Sequence, residues 1–176
     1  YTRGMNRFLK LYLRFPNILT RFLLLLIPNW RNEYRLIRNA DCVISAPGGA
    51  DLGIFQSESY LWHLYEAMQL RKPTAFYSAS IGDLNRPNYF SRKAVEVLRY
   101  PGFLSLRDAQ SFRYAKEVGI LFRESIDTAF LDDIEVSLPS ELDSVLTGDY
   151  VVMVPNQLYF WHPHYQTVQP AAMDTM

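Results

Sequence analysis

Apolar positions along this chain change rhythm twice. From Met5 to Leu36 they recur at helical spacing, broken at Pro16 and Pro28, with Asn17 and Asn29 placed to cap the helices that follow. Short apolar runs then alternate with amphipathic stretches. Residues 42–46 predict a buried strand. Residues 57–70 predict a helix, with Leu61, Leu64, Tyr65 and Met68 on one face, Ser57 as its cap and Lys72-Pro73 as its stop. Residues 74–77 predict a second strand leaving through Ser80-Ile81-Gly82-Asp83. A helix over 91–99, a turn at Pro101-Gly102 and a third strand over 103–106 follow. A helix over 108–118, capped by Asp108 and stopped by Gly119, leads to a fourth strand over 121–125.

Strand, loop and helix repeating every 25–30 residues or so is the pattern of a parallel α/β sheet. The strands are near-continuously apolar, which predicts a sheet covered on both faces. Ligands of such sheets sit outside the carboxyl ends of the strands. The loops over 47–55, 79–87 and 107–108 should therefore share one rim. This reading divides the chain into an N-terminal helical segment (1–39), a Rossmann-like core (40–131), an acidic connector (132–149) with a short helix over 140–146, and the start of a truncated second domain (150–176). That last part opens on a β-like run over 150–154 and ends in an unpatterned tail, AAMDTM.

Composition narrows the field. The chain has 176 residues, 49% hydrophobic and 15% aromatic, enough for one domain with its own core. Eighteen basic and eighteen acidic residues cancel, so net charge gives no ground for a nucleic-acid partner. The single cysteine, Cys42, cannot form an internal disulfide and reads as a small buried hydrophobe. His63, His162 and His164 do not stand at metal-site spacing, so no metal is expected. The greasiest stretch, FLLLLI (22–27), is too short to span a bilayer, which takes about 20 residues, and predicts a core helix. Arg3, Arg7, Lys10, Arg14 and Arg21 lie among Phe, Leu and Tyr, which leaves peripheral contact with a membrane open. The chain opens on Tyr1, the start expected of a fragment or a processed product.

Candidate chemistry concentrates in the shared rim. Gly48 and Gly49 lack Cβ, so their backbone can approach an anion, although a Pro-Gly-Gly turn has a plain structural reading too. Arg107 starts at the rim, where a guanidinium can grip a carboxylate or phosphate with two parallel hydrogen bonds or join a surface ion pair. Asp127, where the fourth strand should end, can bond a sugar hydroxyl or cap a turn. The aromatic cluster LYFWHPHY (158–165) can stack on a sugar or serve as core.

Taken together, ADCVISAPGGADLG, RKPTAFYSASIGDLNR, FLSLRDAQSFRYAKEVGI and SIDTAFL resemble the polysaccharide pyruvyl transferase family. The resemblance rests on four pieces in order: Gly48-Gly49, Ser80-Ile81-Gly82, Arg107-Asp108-Ala109-Gln110-Ser111 and Asp127-Thr128-Ala129-Phe130. It implies two Rossmann-like domains facing a cleft, as in GT-B glycosyltransferases, of which this chain would hold one and the start of another. It implies transfer of a pyruvyl group from phosphoenolpyruvate to a sugar of a surface polysaccharide, forming a ketal. Phosphoenolpyruvate would be the donor substrate with no further cofactor, and a glycan or sugar-lipid the acceptor. Gly48, Gly49, Ser80, Gly82, Arg107 and Asp127 would be the substrate contacts; no general acid is assigned. The chain departs from the family in carrying Gly82 where several members have His, and in showing no Asn-x-Gly-Asp strand and loop at its start. It resembles the middle of such an enzyme, working in the cytoplasm or at the inner face of the membrane. Two readings compete: a GT-B-like glycosyltransferase using a nucleotide sugar, and a non-catalytic, truncated α/β binding module.

Overall fold

A computed structural model describes residues 5–46, 52–53 and 56–131. All of them fall in the compact unit Tyr1–Asp133. The connector, the 150–154 strand, the aromatic cluster and the C-terminal tail lie outside the described residues.

Three helices come first: α1 (Met5–Arg14), α2 (Ile18–Leu25) and α3 (Pro28–Asn39). Asn17 caps α2 as the sequence indicates, its side chain accepting from the Thr20 backbone N–H while Thr20 Oγ1 bonds back to Asn17. The cap assigned to Asn29 is corrected. Pro28 takes the first helical position, where its missing N–H costs nothing, and Ile27 occupies the cap position.

The α/β repeat then runs β1 (Val43–Ser45), α4 (Glu58–Gln69), β2 (Thr74–Ala79), α5 (Tyr89–Leu98), β3 (Phe103–Leu106), α6 (Ala109–Glu117) and β4 (Arg123–Glu124). A 3-10 turn spans Thr128–Leu131. The four strands form one parallel sheet in the order β1-β2-β3-β4. The fold is thus α/β, a Rossmann-like parallel sheet with helices at its flank. The second helix of the repeat, expected over 91–99, starts earlier than the apolar pattern indicates, because Asn88 accepts from the Ser91 N–H and caps α5. The fourth strand shrinks to two residues.

Strand register sorts the side chains into two faces. Ser45, Phe76 and Leu104 align across three strands and are buried. Ile44, Ala75 and Phe103 align on the other face, where Ile44 is 65% and Tyr77 42% exposed. Each β–helix–β crossover between neighbouring strands is right-handed by strong preference, which puts α4, α5 and α6 on one side. Burial on both faces is therefore not what the described residues show.

Helices α1 and α3 pack on α4, and α1 also meets α5. The core between them holds Leu9, Tyr12, Leu13, Trp30, Leu61 and Trp62, with Trp30 and Trp62 edge to face at 4.8 Å. Glu66 is fully buried there and meets the Arg21 guanidinium at 3.1 Å, while Tyr12 Oη accepts from the same guanidinium at 3.1 Å. Burial pushes the Glu66 carboxyl above its ordinary range, against the pull of Tyr12 and Arg21.

Two further expectations are corrected. Cys42 is exposed, because it precedes β1 rather than lying within it. FLLLLI buries Leu24 but leaves Phe22 and Leu26 on the surface, because one face of α2 finds no partner among the described residues.

Candidate anion site at the carboxyl rim

Each strand hands its chain to the rim differently. Arg107 follows β3 directly, and its N–H bonds Ala79 O at 3.2 Å, extending the β2–β3 ladder by one residue. Backbone direction is thereby fixed just where the guanidinium departs. Its Nε donates to Ser80 Oγ at 2.9 Å, and its Nη1 donates to Asp127 Oδ2. Residues leaving β2, β3 and β4 thus converge on one guanidinium.

Asp127 is held from its other oxygen. Oδ1 accepts the Ala129 N–H at 3.1 Å, and the Phe130 N–H bonds Asp127 O at 3.0 Å, closing the short 3-10 turn. The side chain thus caps the turn, as one of its two sequence readings has it, and ties that turn to Arg107 at once.

A second layer of serines sets these groups in place. Ser78 sits in β2 with φ +49, in the left-handed region, and is buried. The β2–β3 register shifts between Phe76 and Ala79, and the strain sits inside that irregularity. The Ser78 N–H donates to Ser105 Oγ at 2.8 Å, and Ser78 Oγ donates to Ile126 O at 2.8 Å. Ser125 ties the same segment to β3, with its N–H 2.8 Å and its hydroxyl 2.9 Å from Leu106 O. This bonding fixes the backbone immediately before Asp127. Ser111 does the same for the β2 exit: its hydroxyl accepts from the Ile81 N–H at 2.8 Å and lies 2.7 Å from Asp108 Oδ2.

Asp108 caps α6, accepting the Ser111 N–H at 2.8 Å. Burial pushes its carboxyl up. The hydrogen bonds from Ser111 and Ser80 and the charge of Arg107 outweigh that and hold it below the ordinary range.

Gly82 is buried, and its N–H donates to Leu52 O at 2.8 Å. Gly53 presses against it with φ +118. A Cβ on Gly53 would come within 2.5 Å of the Gly82 Cα, so neither a side chain nor an ordinary L conformation fits there. Backbone contact here docks the far end of the glycine loop on the β2 exit. Gly48 and Gly49 themselves lie outside the described residues, whereas Ser45 and Gly53, on either side of them, stand at this rim.

Among the sequence-derived site residues, the structure brings Ser80, Arg107 and Asp127 into direct contact, with Gly82 two residues along the chain from Ser80. Sequence reasoning missed Ser78, Ser105 and Ser125, and held Ser111 only as part of the Arg-Asp-x-x-Ser motif. A hydroxyl inside an otherwise apolar run, as in FYSAS and FLSL, was the available signal. A cavity of about 520 Å³ lies between Leu98, Gly102 and Phe122, at the opposite, amino edge of β3 and β4, and shares no residue with this cluster. No group of three His, Cys, Asp or Glu among the described residues is placed to hold a metal ion.

The sequence matches the family model described as polysaccharide pyruvyl transferase over residues 4–168. Searches of curated proteins and of solved structures found no match.

Proposed function

The chain belongs to the polysaccharide pyruvyl transferase family, and from that premise we propose that its carboxyl rim binds phosphoenolpyruvate and transfers the pyruvyl group to a polysaccharide sugar. The observation that carries this reading is the convergence of Ser80, Arg107 and Asp127 from three strand ends. Phosphoenolpyruvate bears a phosphate and a carboxylate. A guanidinium fixed by its own backbone and by a serine is preorganised for such a group.

Asp127 gives the site its second property. A carboxylate beside the guanidinium accepts a hydrogen bond from a sugar hydroxyl, so donor and acceptor meet over one ion pair. The donor methylene takes a proton and becomes the methyl group. One sugar oxygen bonds C2, and a second displaces phosphate from the same carbon. The two hydroxyl protons end on the methyl group and on phosphate, so atoms balance without a redox partner. Ser80, and Gly48 and Gly49 by their place in the sequence, complete the donor's contacts, while Gly82 holds the glycine loop to the β2 exit.

Incubating the full chain with phosphoenolpyruvate and candidate glycans tests this. Release of inorganic phosphate that depends on the glycan, with a new ketal methyl resonance in the product, is expected. Glycan modification by a nucleotide sugar, with phosphoenolpyruvate left intact, would overturn it in favour of a glycosyltransferase.

A further inference from the structure

Overall neutrality hides a strong segregation of charge. The first 40 positions hold eight of the 18 basic residues and one of the 18 acidic ones, Glu33. Glu33 is taken up by His63, at 2.7 Å. The helical segment is therefore strongly cationic, and the remainder correspondingly anionic.

The same segment exposes its apolar side chains in stripes. On α1, Phe8 and Leu11 are exposed at helical spacing, with Phe15 exposed just past the helix end, beside the exposed Arg7 and Arg14, while Lys10 pairs with Glu58 at 3.3 Å. On α2, Ile18 is 88% and Phe22 60% exposed, and Leu26 at its C-cap is 58% exposed. A hollow of about 310 Å³ joins α2 to α3. Phe22, Leu26 and Tyr34 line it, and Arg31, Arg35 and Arg38 stand around it. These three arginines recur at i, i+4 and i+7 on α3, are exposed, and form no ion pair among the described residues. Leu36, also on α3, is 72% exposed.

We propose that α1, α2 and α3 form a docking face for an anionic membrane surface. Apolar side chains in a cationic frame are what an interfacial helix needs: the hydrocarbon enters the headgroup boundary and the arginines meet lipid phosphates. No helix among the described residues is long and apolar enough to cross a bilayer, so the contact is one of lying on it. A nucleic acid would use the arginines but leave Ile18, Phe22 and Leu26 in water, so the apolar stripe decides for lipid. The inference is independent of the donor chemistry at the rim.

Co-sedimentation of the full chain with vesicles tests it. Vesicles of 70% phosphatidylcholine and 30% phosphatidylglycerol should bind the protein at low salt, and pure phosphatidylcholine at least tenfold more weakly. Each arginine near the surface is worth about fivefold, so Arg31→Glu with Arg35→Glu should cut the partition coefficient twentyfold or more. Phe22→Ser should cut it several-fold with the circular dichroism unchanged; if that variant loses helix, Ile18→Ser, at the most exposed position on α2, takes its place. Equal binding to both vesicles, no binding to either, or unchanged partition of the arginine variant would overturn the proposal. So would salt-sensitive RNA binding that outcompetes the vesicles, or a dimer in solution that Phe22→Ser dissolves.

Discussion

At the residue scale, two positions show how little freedom the rim has. Ser78 holds a left-handed conformation inside a strand, and its N–H and hydroxyl hold it there through Ser105 and Ile126. Gly53 meets Gly82 backbone to backbone, with no room for a methyl group. Gly53→Ala adds a clash with backbone, which cannot rotate aside, to the cost of a positive φ, itself about 1 kcal/mol or more. The expected outcome is a fall in unfolding free energy of at least about 2 kcal/mol, read from the urea midpoint. A midpoint matching the parent protein would show that the two loops are not docked as described. Neither feature is legible in the sequence: a glycine announces permissiveness, not the neighbour that demands it. Arg107 and Asp127 were legible as candidates, since each follows a strand. Their mutual contact depends on strand order, which the residues alone do not state.

At the element scale, most of the α/β alternation could be read directly, because apolar runs and caps both carried it. Ser57, Asp108 and Asn17 all cap as their residue types indicate. What failed, failed for physical reasons. Pro28 outcompeted Asn29 because a fixed φ starts a helix without any side-chain bond. FLLLLI read as core because hydrophobicity reports what a segment can bury, not whether a partner is there. Cys42 fell one position outside β1 and so onto the surface. Asp108 gives the element scale its test. Its folded-state carboxyl is held below the ordinary range, near 3.9 in an unfolded chain or thereabouts. The ionised cap therefore adds stability that is complete above about pH 4. It is lost as pH falls through the lower, folded-state value. Asp108→Asn keeps a capping oxygen but no charge. The variant should be less stable by about 1 kcal/mol at pH 7, with the gap narrowing as pH falls below about 4. A gap that stays constant over that range, in denaturant titrations, would remove the charge from the account.

On the scale of the whole molecule, the parallel order β1-β2-β3-β4 turns sequence spacing into side-chain contact. Residues 80, 107 and 127 stand 20 to 27 positions apart along the chain, yet share hydrogen bonds because all strands point the same way. The same order puts α4, α5 and α6 to one side, leaves Ile44 and Tyr77 uncovered on the other, and gives α1 and α3 a helical surface to rest on. The central claim is that this convergence makes an anion site suited to phosphoenolpyruvate. Calorimetric titration of phosphoenolpyruvate into the full chain and into Arg107→Ala tests it most directly, with circular dichroism confirming that both are folded. Loss of a charge-assisted contact worth about 1.5–3 kcal/mol should weaken binding roughly tenfold to a hundredfold. Equal affinity in the two folded proteins would contradict the account.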